Sequence, residues 1–195
     1  MKIFCTFIYK KVLDFKNIKE MDYLKTYTEK QEDKPTYKIY VDLDGVLCDF
    51  NGRFKKDIDQ IGPEKYIKKY GVTKMWQEIE KRGIEHWSNM DWMSDGKKLW
   101  KFITENFNDI EILTGSPWGK AGQYAHKGKD IWCKRELGNI KVNHKSSKQK
   151  YKFASENHIL IDDMKRNTDM WKDADGIAIN HKSTNKTIKI LKKYI

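Results

Sequence analysis

A chain of 195 residues is long enough for one domain with a small insertion and a core of its own. Aromatic residues make up 13% of it and seven residues are Trp, which excludes a disordered chain although 34% of the residues are charged. The net charge of +11 suits anionic or phosphorylated partners, nucleic acid among them, and no apolar run approaches the length of a membrane span.

Residues 1–36 read as an N-terminal extension. Its apolar opening, Ile3 to Tyr9, is short and is followed by lysines rather than by a small-residue cleavage site, so no signal peptide is expected. Val12, Phe15, Ile18 and Met21 recur at helical spacing and predict a short amphipathic helix, followed by a flexible stretch over residues 29–35. Cys5, Cys48 and Cys133 are odd in number and lack metal-type spacing, so reduced thiols in a cytoplasmic protein are expected, with Cys48 buried and inert.

The first strand covers about 37–42 and stops at Asp42-Leu43-Asp44-Gly45. In an extended chain residues i and i+2 point the same way, so Asp42 and Asp44 can converge, and two close carboxylates stay ionised only beside a cation. Phe50, Phe54, Ile58 and Ile61 then mark one helix face, ended by Gly62-Pro63. Helices over 64–70, 74–81 and 96–107 follow, with an aromatic stretch, Trp87 to Met93, before the last of them. These helices make 51–107 a helical cap inserted into an α/β core of 37–50 and 108–195.

From residue 110 strands and helices alternate. Strands are expected over 110–113, 140–142, 159–161 and 177–179, and helices over 129–137, 167–174 and 182–194. A basic segment, 144–152, leads into a short helix before the fourth strand. Alternation of this kind implies a parallel sheet with helices on both faces. Asp42, Thr114 and Asp162 each sit where a strand stops, and in a parallel sheet all those ends share one edge, where ligands bind. Asp42, Asp44, Asp162 and Asp163 would form a carboxylate cluster suited to a hard cation, Mg²⁺ above all. Thr114 offers a hydroxyl, the Gly115 N–H can face an anion, and lysines between 145 and 152 approach the same edge, which together suit phosphoryl transfer.

The stretches Asp42-Leu43-Asp44-Gly45-Val46-Leu47, Ile112-Leu113-Thr114-Gly115, a lysine within 145–152, and Ile159-Leu160-Ile161-Asp162-Asp163 resemble the four motifs of the haloacid dehalogenase (HAD) superfamily, in the right order. Within it, Asp-Gly-Val-Leu-Cys-Asp-Phe and the helical insertion after it resemble the 5'(3')-deoxyribonucleotidase branch and related phage and bacterial proteins. The resemblance covers residues 37–195. It implies a HAD-like Rossmannoid sheet of order 5-4-1-2-3, with strands numbered along the chain. It implies Asp42 as nucleophile forming an aspartyl-phosphate, and Asp44 as the acid and base. Mg²⁺ would be held by the Asp42 carboxylate, the Asp44 carbonyl and an acid from Asp162/Asp163. Thr114, Gly115 and a lysine would hold the phosphoryl oxygens. Among Lys145, Lys148, Lys150 and Lys152, a Lys-x-Lys-Tyr-like stretch favours Lys148 or Lys150, and Lys148 is placed first. Phe50, Trp76, Trp87 and Trp92 are candidates to stack on a base. His86, His126, His144, His158 and His181 show no ligand spacing. The expected activity is removal of phosphate from a nucleotide. Action on nucleic-acid ends, and a non-catalytic HAD-fold binding module, are the alternatives.

Overall fold

The computed structural model describes residues 36–195; the N-terminal helix and the stretch over 29–35 lie outside the described residues. Strand β1 (Lys38–Val41) is followed by four helices, α1 (Phe50–Asp57), α2 (Pro63–Tyr70), α3 (Val72–Ser88) and α4 (Gly96–Asn106). The alternating part then runs β2 (Asp109–Gly115), α5 (Gly119–Glu136), β3 (Lys141–Lys145), a 3₁₀ turn (Ser147–Phe153), β4 (His158–Asp162), α6 (Lys165–Lys172), β5 (Ile177–Asn180) and α7 (Thr184–Leu191). The five strands form one sheet of order β3-β2-β1-β4-β5, which is the expected order read from its other end. Every pairing is parallel.

The alternation of side chains along the strands divides the core. Ile39, Val41, Ile112, Ile159 and Ile161 point to one face, where they join Leu99 and Ile103 of α4, Trp132 of α5 and Leu191 of α7. Tyr40, Leu113 and Leu160 point to the other and pack on Trp171 of α6, with Phe153 of the 3₁₀ turn beside them. Central strands covered on both faces carry apolar residues in both registers, which is why β1 and β4 read as continuous hydrophobic runs.

Helix α5 is ten residues longer at its start than the sequence suggests, beginning at Gly119 rather than Lys129. Its buried residues include Ala121, Gly122, Ala125, Gly128, Lys129, Trp132 and Cys133, a stripe at helical spacing. The small members let the helix come close to its neighbour. A Cβ on Gly128 would lie 2.5 Å from the Cβ of Trp87 and 2.7 Å from the carbonyl of Ile84, both on α3. Helix α3 itself extends beyond the expected 74–81 and is broken at Gly83 (φ 64°, ψ −146°), which re-aims its last turn, carrying His86 and Trp87.

Candidate active site

The strand register builds one end of the site. Val41 lies beside Ile112 of β2 and Ile161 of β4, so the next residues of β1 and β4 reach the same edge. Asp42 and Asp162 emerge there, both buried. The Asp42 carboxylate accepts the Leu43 N–H at 2.8 Å. Lys150 Nζ lies between the two acids, 2.8 Å from Asp42 Oδ2 and 2.7 Å from Asp162 Oδ2. Asp162 is further held by the Met164 N–H at 2.9 Å and by Asn167 Nδ2. Beyond Asp44 the chain turns at Gly45 with φ +77°, and a Cβ there would collide with the Asp163 carboxylate. Glycine therefore permits both the turn and the approach of Asp163.

Burial pushes the Asp42 carboxyl up to about 7; Asp162 and Asp44 push the same way, against the pull of Lys150. Burial, with Asp162, lifts Asp163 to about 6. For Lys150 burial favours the neutral amine, but the carboxylates of Asp42 and Asp162 outweigh it and hold the ammonium above its ordinary range.

The acids fit a divalent cation. One oxygen from each of Asp42, Asp162 and Asp163 lies within 4.8 Å of the others. Three carboxylates against the single charge of Lys150 leave the cluster negative, and carboxylate oxygens are the donors Mg²⁺ takes. Asp162 is already surrounded by Lys150, Asn167 and a backbone N–H, whereas Asp163 lines the adjoining cavity. Asp42, though held by Lys150 and the Leu43 N–H, and Asp163 are thus the two acids of the set that face the cavity. The Asp44 carboxylate lies outside this set, which corrects its expected place in the carboxylate cluster.

Asp44 turns to the other side of the site. Its Oδ2 accepts from Lys129 Nζ at 2.7 Å. The same ammonium donates to Thr114 Oγ1 at 2.8 Å and to the Gly115 carbonyl at 2.7 Å, and sits 4.9 Å from the centre of the Trp87 ring. Lys129 is fully buried. Sequence reasoning did not single it out, although a lysine on the small-residue stripe of α5 was a signal.

Between these two halves lies a cavity of about 400 Å³. Asp42, Asp44, Asp49 and Asp163 supply acids to its wall, Phe50, Trp76 and Trp87 supply rings, and Gly115, Ser116, Pro117 and Ser147 come from the strand-end loops. Phe50 stacks on Trp87, with ring centres 5.6 Å apart and planes at 26°. Three buried polar atoms of residues on this wall, Asp44 Oδ1, Trp87 Nε1 and Ser116 Oγ, have no hydrogen-bond partner among the described residues.

The structure thus gathers Asp42, Asp44, Thr114, Gly115, Phe50, Lys150, Asp162 and Asp163 at one edge. It moves two expected residues away. Lys148 is exposed, and it is Lys150, two residues on in a 3₁₀ turn of three residues per turn, that points inward. Trp92 does not line the cavity; its Nε1 donates to Glu136 at 2.8 Å and its ring packs on Trp132, while Trp76 and Trp87 take the wall. Cys48 and Cys133 are buried, and burial pushes the Cys48 thiol well up and the Cys133 thiol up to about 12, so both stay protonated.

No protein-family model matches the chain, and no curated protein matches it. Among solved structures, a HAD family hydrolase from Deinococcus radiodurans R1 with bound phosphate and sodium is similar at 11% identity over 82% of this chain and 89% of its own, with a TM-score of 0.48. A hydrolase from Streptococcus pneumoniae TIGR4 is similar at 10% identity, covering 81% and 99% of the two chains, with a TM-score of 0.47. A hydrolase from Pseudomonas syringae is similar at 13% identity over 82% and 90%, with a TM-score of 0.47.

Proposed function

We propose that the chain is a Mg²⁺-dependent phosphomonoesterase that removes phosphate from a nucleotide, a deoxyribonucleoside monophosphate by preference, through an aspartyl-phosphate on Asp42. The observation that carries this reading is the pairing at one sheet edge of two unlike carboxylates. Asp42 sits beside Lys150 and two further acids, and Asp44 is set apart with Thr114. A nucleophile needs the first environment and an acid–base residue the second. The resemblance of the four sequence stretches to HAD motifs supports the same assignment.

A carboxylate oxygen of Asp42 attacks phosphorus, and the bond to the leaving oxygen breaks as that oxygen takes a proton from Asp44. Asp44, now ionised, removes a proton from water, which attacks phosphorus, frees inorganic phosphate and returns Asp42. Lys150 and the Thr114 hydroxyl would balance charge on the phosphoryl oxygens. Mg²⁺, held by Asp42 and Asp163 with the Asp44 carbonyl, would neutralise charge on Asp42 and phosphate. The helices between β1 and β2 serve as a cap that walls the cavity, with Phe50, Trp76 and Trp87 offering apolar surface to a base. The buried reduced thiols suit a cytoplasmic setting.

A phosphatase screen with Mg²⁺ across an aryl phosphate, nucleotides, sugar phosphates and 3'-phosphorylated oligonucleotides tests the reading. Turnover of a deoxyribonucleoside monophosphate is the expected result. No turnover of any of them would leave a binding module. A second reading, action on a nucleic-acid end, is favoured by Trp118, which is 86% exposed next to the cavity-lining Pro117, and by exposed Lys148 next to Ser147. A strand there would make several phosphate contacts, and its turnover would fall steeply with salt, whereas that of a mononucleotide would not.

A further inference from the structure

We propose that Lys129 is a positioning residue that sets Asp44 and Thr114 together. The proposal rests on the phosphomonoesterase reading above. An ammonium has three donors and no acceptor. Here the three go to Asp44 Oδ2, Thr114 Oγ1 and the Gly115 carbonyl, at 2.7, 2.8 and 2.7 Å. Lys129 is fully buried, so no N–H remains for substrate, and its effect passes through the groups it holds.

Each contact has a directional consequence. With Oδ2 engaged, Oδ1 is buried and has no partner among the described residues, and Asp44 lines the cavity. The ammonium therefore fixes how the Asp44 carboxylate is turned, with Oδ1 shut off from solvent and Oδ2, the oxygen Lys129 holds, left as the one that can meet the leaving group. Thr114 Oγ1 acts as acceptor toward Lys129, so its own proton is left to donate to a phosphoryl oxygen. The Gly115 contact ties this arrangement to the end of β2. The Trp87 ring over the ammonium ties it to the cavity wall, and the close approach of α5 to α3 at Gly128 places the lysine there. One cation thus orients the proton donor, one phosphoryl ligand and one aromatic wall.

A lysine that merely fills space would affect every substrate alike. A lysine that orients Asp44 matters most where the leaving oxygen needs a proton. The test compares Lys129→Met, which keeps the length and apolar stem, with the wild type, using an alkyl phosphate and a nitrophenyl phosphate. For Lys129→Met, kcat/KM toward the alkyl phosphate should fall by on the order of 10²–10³, and toward the nitrophenyl ester by about tenfold less or better, because nitrophenolate leaves without a proton. In an Asp44→Asn background the added loss on the alkyl ester should largely disappear, since the two act as a unit. Lys129→Arg keeps the charge, but its planar fork cannot present the same three directions. It should show the same unequal loss, and it decides the matter if Lys129→Met does not fold. Equal losses on both esters, or none, in a folded variant overturn the positioning role alone. A wild type that cleaves neither ester overturns the phosphatase reading, and the proposal with it.

Discussion

Asp42 and Lys150 are each costly to bury, and each makes the other tolerable. The ammonium touches Asp42 and Asp162 at once, with all three side chains buried. Lys150→Met would leave two buried carboxylates without a counter-charge, and should destabilise the fold by about 3–5 kcal/mol. Lys148→Met, on the exposed side of the same turn, should change stability by no more than about 0.5 kcal/mol and leave turnover of a mononucleotide as it was. Urea unfolding of the two variants checks the pair, and equal effects would put the wrong lysine in the site. Asp42→Asn keeps an acceptor for the Leu43 N–H but removes the nucleophilic charge. Uncatalysed phosphate-monoester hydrolysis is among the slowest reactions known, so activity should fall below detection while the circular dichroism spectrum is kept. Thr114→Ala removes one donor to the phosphoryl group and should cost on the order of 10²–10³ in kcat. Near-normal turnover by Asp42→Asn would exclude covalent catalysis through it.

Helix α5 shows how far packing between elements reaches into the site. Its contact with α3 depends on Gly128, where a Cβ would press on Trp87 and on the Ile84 carbonyl. Gly128→Ala should therefore cost about 1–3 kcal/mol by overpacking, and it should also depress kcat, because Trp87 and Lys129 move with the helices. Thermal unfolding and turnover of that one variant test both parts; a loss of stability with unchanged kcat would uncouple the helix contact from the chemistry. At the opposite edge of the sheet, β1, β2 and β3 meet at Glu111. It accepts from Lys38 at 2.7 Å, Asn143 at 2.8 Å and Lys141 at 3.1 Å. Burial alone would raise this carboxyl, but the bonds from Lys38, Asn143 and Lys141 outweigh it and hold the group below the ordinary Glu range. A lowered carboxyl stabilises the fold above the unfolded value of about 4.3 and loses that contribution as pH falls through the folded one. Glu111→Gln should thus cost about 1–3 kcal/mol at pH 7 and close to nothing below pH ~3. A deficit that does not change with pH would show that packing, not charge, is what Glu111 contributes. Such distances also mark what was legible beforehand. Asp42, Thr114 and Asp162 could be placed because a buried strand ends where apolar alternation ends, and parallel strands share their ends. The 3₁₀ turn, which chooses Lys150 over Lys148, leaves no periodic trace over seven residues. The break at Gly83, ahead of Trp87, is a backbone event that hydrophobic spacing does not record. Lys129 went unseen because Gly and Ala before it carry too little apolar weight to announce a helix.

Over the whole molecule, the charge of +11 repels cations, while the strand ends gather acids that attract one. A cation effect on this protein must then be local. Without a divalent ion, burial and Asp162 hold Asp163 at about 6. The folded state therefore binds this proton more tightly than the unfolded chain does, and metal-free stability should fall as pH rises from about 4 through 6. An ion bound only by the folded state reverses that loss, by about 2.7 kcal/mol at a concentration a hundredfold above Kd. For a chain of this size that corresponds to a rise in Tm of roughly 5–10 °C. The measurement is thermal unfolding at pH 7.5 in chelator and in Mg²⁺, at matched ionic strength so that screening of the net charge cancels. Asp163→Asn should be more stable than the wild type in chelator, because one repelling charge is gone, and should lose most of the rise in Mg²⁺. Asp169→Asn, an exposed acid paired with Lys165 on α6, should leave the rise intact. If Tm of the wild type is the same in chelator and in Mg²⁺, or if Asp163→Asn responds as fully as the wild type, these carboxylates do not hold the ion.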